Sequence, residues 1–286
     1  MAVALVTGGS RGIGEAICRR LSEDGYTVAV NYCKDSDKAE AVASEIGGKA
    51  YKADVSNYGE VCEMFSAIER ELGAPEILVN NAAISVVGVF QDCSDEEWDR
   101  IFGINVKGVF NCCKRALGNM LQRQHGSIIN ISSIWGITGG SCECHYSAAK
   151  AAVIGYTKSM AKELGPSGIR VNCVAPGAVK TEMNARLTEE DWAEILEGTP
   201  VGHIGAPEEV AEAVAFLAEE KASYITSLIT LGKRSDDFAC PYKSCVGKCR
   251  YPQQNGRNPC CAAPDGNKKS SKRRCNRFSA YLYPYC

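Results

Sequence analysis

The sequence has no hydrophobic run long enough to cross a membrane. A spanning helix needs about 20 consecutive apolar residues, and no stretch approaches that length. The first residues, MAVALVTGG, also lack the charged region and the cleavage site of a secretory signal peptide. We therefore expect a cytoplasmic protein that does not contact a membrane.

Metal-ligand spacings are missing as well. The chain has three histidines, and none of its 16 cysteines forms a CxxC pair. Structural zinc sites usually combine such pairs. We expect no metal site, and we interpret His125 and His203 as surface or loop residues.

Aliphatic side chains are scarce in the last part of the chain. Residues 233–286 contain twelve Lys and Arg against three Asp, a net charge of +9, which leaves residues 1–232 at −11. Seven cysteines also lie in this part. Because so few apolar residues cannot bury a core, we divide the chain into a folded domain, 1–232, and a basic cysteine-rich tail, 233–286.

Three interpretations of the tail stay open. It is disordered or a product of out-of-frame translation, which explains the abrupt change in composition and which we favour. It is a module held together by metal or disulfide bonds, although a cytoplasmic setting disfavours disulfides. Or it is a nucleic-acid-binding arm, with KKSSKRR on phosphates and three tyrosines stacking on bases. We do not expect a nucleic-acid partner.

The first domain alternates strand and helix patterns. Strands joined through helices of about ten residues pair in parallel by right-handed crossovers, and strands that are apolar throughout are covered on both faces. The pattern predicts an α/β fold with a doubly wound, Rossmann-like parallel sheet of seven strands. The strand-like runs lie at residues 4–9, 27–30, 49–55, 76–83, 127–133, 169–177 and 227–231.

A glycine-rich loop, TGGSRGIG at residues 7–14, directly follows the first of these runs and precedes a helix. Gly8, Gly12 and Gly14 stand where a tight turn, close backbone approach and helix packing leave no room for a side chain. The amides at the start of the next helix are suited to a pyrophosphate. This loop predicts a dinucleotide site at the carboxyl edge of the sheet.

Several motifs in a fixed order resemble the short-chain dehydrogenase/reductase family over residues 2 to about 232. The resemblance implies an NAD(P)-dependent oxidoreductase that interconverts ketones and alcohols and assembles as a homotetramer. Family chains end around a glycine pair of which only Gly232 remains here, so an inactive protein that still binds the cofactor is an alternative. The motifs are TGGSRGIG at 7–14, ADV at 53–55, NNAA at 80–83, Asn105 in INVKG, ISS at 131–133, YSAAK at 146–150 and VAPGAVKTEM at 174–183.

The resemblance implies four catalytic residues. Tyr146 would protonate the oxygen of the ketone, and Lys150, on the same helical face, would lower the phenol's pKa from its usual value of about 10 and bind the nicotinamide ribose. Ser133 lies thirteen residues before Tyr146, as in the family, and would donate a hydrogen bond to the substrate oxygen. Asn105 would hold a water that links the lysine to solvent.

NADPH is the expected cofactor. An acidic residue at the end of the second strand would bind the ribose of NADH, but that strand ends VAVNYCK, with Lys34 after it. Arg11 adds a second cation for the 2′-phosphate, whereas Ala83 stands where the family usually has glycine. The implied cofactor-binding residues are Gly8, Ser10, Arg11, Gly12, Ile13, Gly14, Cys33, Lys34, Asp54, Val55, Asn81, Ala82, Tyr146, Lys150, Pro176, Gly177, Val179 and Thr181.

The substrate stays open between small-molecule and protein-tethered ketones. Overall, the chain is similar to the 3-oxoacyl-(acyl-carrier-protein) reductases of fatty-acid synthesis, but it has Gln124 and Ser167 where that group docks its carrier through arginines. The loop SSIWGITGGSCE, residues 132–143, is similar instead to reductases of the 5-aminopentanone group on elongation factor P. In that alternative, Glu143 would attract the amine.

The segment between Gly177 and Pro207 has two interpretations. Its apolar residues form either a mobile lid over the substrate pocket or an ordinary amphipathic helix on the core. The residues concerned are Met183, Leu187, Trp192, Ile195 and Leu196.

Overall fold

The computed structural model describes residues 2–231, and within this range it contains a seven-stranded sheet. Every strand pair is parallel, and the order is β3-β2-β1-β4-β5-β6-β7. The predicted doubly wound sheet is therefore confirmed. The strands are β1 Val3–Val6, β2 Thr27–Tyr32, β3 Lys49–Lys52, β4 Ile77–Asn80, β5 Gly126–Ile131, β6 Ile169–Ala175 and β7 Ile229–Leu231.

Helices cover both faces of the sheet. One apolar core lies between the sheet and α3, α5 and α7, around Phe65 and Ile128, and the other lies beneath α1, α2 and α9, around Ile17 and Leu217. The helices are α1 Gly12–Glu23, α2 Ser36–Glu45, α3 Tyr58–Glu71, α4 Asp95–Phe102, α5 Gly108–Arg123, α6 Trp135–Thr138, α7 Cys144–Leu164, α8 Glu189–Glu197 and α9 Pro207–Ala218. A π-helical segment, Gly103–Lys107, joins α4 to α5.

Five of the strands, β1, β3, β4, β5 and β6, end earlier than the sequence pattern predicts, whereas β2 extends two residues further, to Tyr32. β1 stops at Val6 and β5 at Ile131, although the apolar runs were assigned through residues 9 and 133. Thr7 and Ser132, the first residues after these strands, still donate backbone hydrogen bonds to the neighbouring strands, and the residues that follow them lie beyond the carboxyl edge. Strand order reverses between β1 and β4, which is where ligands bind in such sheets.

Across residues 2–231, no helix combines the length and the apolar character that crossing a membrane requires. Residues 232–286 lie outside the described range, and so do the predictions made for the tail, including the metal or disulfide module and the nucleic-acid-binding arm.

Candidate active site

Helix α7 brings Tyr146 and Lys150 to the carboxyl end of β5. Both side chains are buried, with 9% and 3% of their residue surface exposed. The Lys150 Nζ donates to the Ile131 carbonyl at 2.8 Å and lies 5.6 Å from the centre of the Tyr146 ring. Gly136 of α6 permits this close packing, because a Cβ there would lie 2.7 Å from the Lys150 carbonyl carbon. The lysine is thus fixed between the strand end and the phenol.

Ser133 lies beside the phenol. Burial raises the pKa of Tyr146, Glu143 raises it further, and the hydrogen bond with Ser133 opposes the rise. Burial also lowers the pKa of Lys150 to about 8. In this structure desolvation of the ring outweighs the hydrogen bond with Ser133, so the phenol stays protonated at physiological pH. The effect of Lys150 on the phenol's pKa stays a prediction.

Asn105 is buried in the π-helical segment, and its amide is hydrogen-bonded to the chain that follows β4. Its Nδ2 donates to the Ile84 carbonyl, and its Oδ1 accepts from the Ile84 amide, both at 2.9 Å. The side chain therefore joins the π-helical segment to the loop after β4. The predicted link from Asn105 to the lysine through a water stays a prediction, and the residue lies in a π-helical segment, a feature that is frequent at functional sites.

A cavity of about 150 Å³ lies beyond the ends of β4, β5 and β6. It brings together the predicted residues Ile13, Asn81, Ser133, Tyr146, Lys150, Pro176, Gly177, Val179 and Thr181. Ser85, Trp135, Glu143 and Arg186 also line it, with Met183, Leu187 and Ile195 from the predicted lid. Leu196 of that segment is exposed instead, as on an amphipathic helix.

The glycine loop fits the phosphates of a dinucleotide. Gly8 has a φ of +63°, and a Cβ on Gly14 would lie 2.1 Å from the Gly8 carbonyl oxygen. Gly12 has a φ of +56°, and the nearest atom to a Cβ there would be 3.5 Å away, on Thr181. No side chain caps the start of α1, so the amides of its first turn are open to an anion. The glycine loop and the first turn of α1 therefore fit the pyrophosphate of a dinucleotide.

The predicted adenosine end lies outside this cavity, around the end of β2. Cys33 and Lys34 are exposed, Val55 is buried against Gly108 of α5, and the Asp54 carboxylate accepts from Ser56. Ser10 is buried in the glycine loop, and Ala82 lies close to Gly8.

Arg11 has acidic neighbours that the sequence pattern did not reveal. Its Nη1 lies 3.1 Å from an Asp35 oxygen and 3.5 Å from a Glu182 oxygen. Lys38 of α2 bonds to Glu182 at 2.7 Å. The predicted cation for a 2′-phosphate is therefore part of a charged network. The acidic residue that binds the ribose of NADH is expected at residues 31–33, at the end of β2. Asp35 lies two residues beyond that range.

The Glu143 carboxylate makes two contacts that the sequence did not show. Its carboxylate accepts from Ser85 at 3.2 Å and from the Arg186 guanidinium at 3.3 Å. Arg186 and Ser85 belong to no motif, and their contacts arise only in the fold. A carboxylate that is already paired with a cation is less available to an amine, which weakens the basis of the elongation factor P alternative.

The histidines and cysteines form no metal centre within the described range: residues 2–231 contain no group of three His, Cys, Asp or Glu side chains placed to hold an ion. His125 and His203 are exposed, as predicted for surface residues.

A glycine cradle at the switch point, with a buried tyrosine, lysine and serine facing the same cavity, defines a nicotinamide-dependent reductase. A family model described as "Enoyl-(Acyl carrier protein) reductase" matches residues 8–231. The chain belongs to the short-chain dehydrogenase/reductase family and is an NAD(P)-dependent ketoreductase.

Curated relatives cover most of the described chain. The 3-oxoacyl-(acyl-carrier-protein) reductase FabG of Staphylococcus epidermidis is 44% identical over 228 residues, which cover 78% of this chain and 93% of that protein. The protein of the same name from Staphylococcus aureus gives the same identity and coverage. The acetoacetyl-CoA reductase of Rhizobium meliloti is 45% identical over 225 residues, again 78% of this chain and 93% of that protein.

Proposed function

We propose that the protein uses NADPH to reduce 3-oxoacyl thioesters to 3-hydroxyacyl thioesters. The observation that carries the proposal is the cavity in which Ser133, Tyr146 and Lys150 meet. The named substrates of the relatives, 3-oxoacyl-(acyl-carrier-protein) and acetoacetyl-CoA, share a ketone two carbons from a thioester.

In this proposal the residues divide the chemistry between binding and proton transfer. Ser133 and Tyr146 donate hydrogen bonds to the ketone oxygen and orient the carbonyl. The bound cofactor supplies the hydride to the carbonyl carbon. Tyr146 gives its proton to the oxygen, so the product is a secondary alcohol. Lys150, fixed by the Ile131 carbonyl, places a positive charge beside the phenolate that results.

The choice of NADPH rests on charge. Arg11 and Lys38 lie close together near the end of β2, and their shared contact is the Glu182 carboxylate. A 2′-phosphate would provide the same negative charge to both cations. Asp35 opposes this preference, because its carboxylate lies beside Arg11.

The carrier of the acyl group is proposed to be coenzyme A or an acyl carrier protein. Gln124 and Ser167 stand where the carrier-dependent reductases have docking arginines, and they supply no positive charge. Residues 1–232 carry a net −11, which also disfavours an acidic carrier. We further propose a homo-oligomer, because Trp98 of α4 and Phe110 of α5 are exposed large apolar side chains. We also propose a cytoplasmic location.

Consumption of NADPH by the purified full-length chain tests the function. We expect turnover with acetoacetyl-CoA or with an acetoacetyl carrier protein, and slower turnover when NADH replaces NADPH. Elongation factor P bearing the 5-aminopentanone group is the third substrate, for the alternative reductase. Turnover of that substrate alone would replace the thioester proposal, and turnover of none of the three would support the inactive alternative.

A further inference from the structure

A buried ion pair joins two parts of the cavity wall. Glu143, at the start of α7, is 5% exposed, and its carboxylate accepts a hydrogen bond from Arg186 at 3.3 Å. Arg186 lies between a 3₁₀ turn, Glu182–Asn184, and helix α8. Its side chain is 38% exposed, so the pair reaches from the interior to the surface.

The two ends of this pair belong to elements with different roles. Helix α7 carries the proton donor Tyr146. Residues 182–197, here called the covering segment, place Met183, Leu187 and Ile195 against the cavity. The ion pair therefore connects the wall that holds the catalytic residues with the wall that closes over the substrate.

The backbone around Glu143 fixes the carboxylate in place. Cys142, the preceding residue, has a φ of +61°, a left-handed conformation that costs free energy for a residue with a side chain. The Cys142 carbonyl accepts from the Gly88 amide at 2.9 Å, and Ser85 of the same loop donates to the carboxylate. The loop after β4 thus holds the Glu143 carboxylate in a position to pair with a cation.

We propose that Glu143 and Arg186 form a latch that holds the covering segment closed over the substrate, with Arg186 as a positioning residue for the reduction. A carboxylate this deeply buried requires a partner, because an isolated charge loses its hydration without compensation. Ser85 donates a hydrogen bond to the Glu143 carboxylate, and the closed segment adds the positive charge of the Arg186 guanidinium. The substrate that the latch encloses rests on the proposed function, whereas the ion pair itself does not.

Kinetics of single and double variants test the latch. For Arg186→Met and Glu143→Gln, we expect the KM for acetoacetyl-CoA to rise about tenfold, and the double variant to be no worse than either single one, because all three lack the same contact. The KM for NADPH should stay within about twofold of the wild-type value. Arg186→Lys keeps the charge and should recover most of the loss.

A matched control is Arg19→Met, which removes an arginine of similar exposure, 39%, from a glutamate pair on α1 away from the cavity. We expect its KM for acetoacetyl-CoA to equal that of the wild type. Equal KM values in the wild type, Arg186→Met and Glu143→Gln would overturn the latch. So would losses in the two single variants that add in full in the double variant.

Hydrogen exchange separates a failed latch from a failed function, because it needs no turnover. In Arg186→Met and in Glu143→Gln, we expect backbone amides of the covering segment to exchange at least about fivefold faster than in the wild type, with α1 and α9 unchanged. Unchanged exchange in the segment would overturn the latch even if acetoacetyl-CoA is reduced. Faster exchange in a protein that reduces no thioester would keep the latch and reject the proposed substrate.

Discussion

Lys150 is the residue at which burial and charge conflict most directly. Its 3% exposure deprives the ammonium of water, and the pKa falls to about 8 as a result. The same burial raises the pKa of Tyr146, which stays protonated well above neutral pH. The phenol that we propose as the proton donor is therefore protonated at neutral pH, and Lys150 is the group whose pKa lies closest to that range.

This assignment makes the reduction depend on pH. Below about pH 8 Lys150 is charged and can stabilise the phenolate, and above that value it becomes neutral and the support is lost. We expect kcat for reduction to be level at low pH and to fall as the pH rises through about 8. Rates measured between about pH 6 and pH 10 check this, and a profile that stays flat above pH 9 would contradict the role given to the lysine.

Arg11 determines the choice of cofactor in the proposal. Replacement by alanine removes the guanidinium that a 2′-phosphate would share with Lys38, so we expect Arg11→Ala to raise the KM for NADPH about tenfold with little change for NADH. Asp35→Asn removes the competing carboxylate and should lower the KM for NADPH. Steady-state kinetics with both cofactors measure the two effects, and equal losses with NADH and NADPH in Arg11→Ala would argue against contact with the 2′-phosphate.

At the scale of elements, most of the candidate site residues lie just after a strand ends and not within the strand. The motifs TGGSRGIG and ISS identified the correct segments, but apolar patterning extended β1 and β5 too far. Side chains in a ladder point to the faces of the sheet, where helices cover them. The cavity is lined by residues at the strand end, such as Ile131, and by residues just after it, such as Ser133.

The turn between β1 and α1 depends on the absence of a side chain at Gly14. We expect Gly14→Ala to abolish cofactor binding and to destabilise the fold, because the new Cβ would lie 2.1 Å from the Gly8 carbonyl oxygen. Gly118→Ala is the control, since α5 has open space at that position and alanine favours a helix by about 1 kcal/mol. Thermal unfolding and cofactor titration compare the two, and normal cofactor binding by Gly14→Ala would refute the tight-turn explanation.

At the scale of the whole molecule, the parallel sheet and the proximity of Ser133, Tyr146 and Lys150 could be predicted, because each depends on short sequence patterns. The charged contacts could not. Glu143 and Arg186 are 43 positions apart, and Arg11 and Asp35 are 24 apart. Which of many surface charges meet depends on how loops leave the sheet, and neither spacing nor periodicity encodes that.

Proton donation by Tyr146 is the claim on which the function depends. The direct measurement is kcat for reduction of acetoacetyl-CoA by NADPH in the wild type and in Tyr146→Phe, with Tyr156→Phe on the same helix as the control. We expect kcat to fall at least about a hundredfold in Tyr146→Phe, with NADPH binding retained, and to change little in Tyr156→Phe. Equal turnover by the wild type and Tyr146→Phe would contradict the assignment of this phenol as the acid.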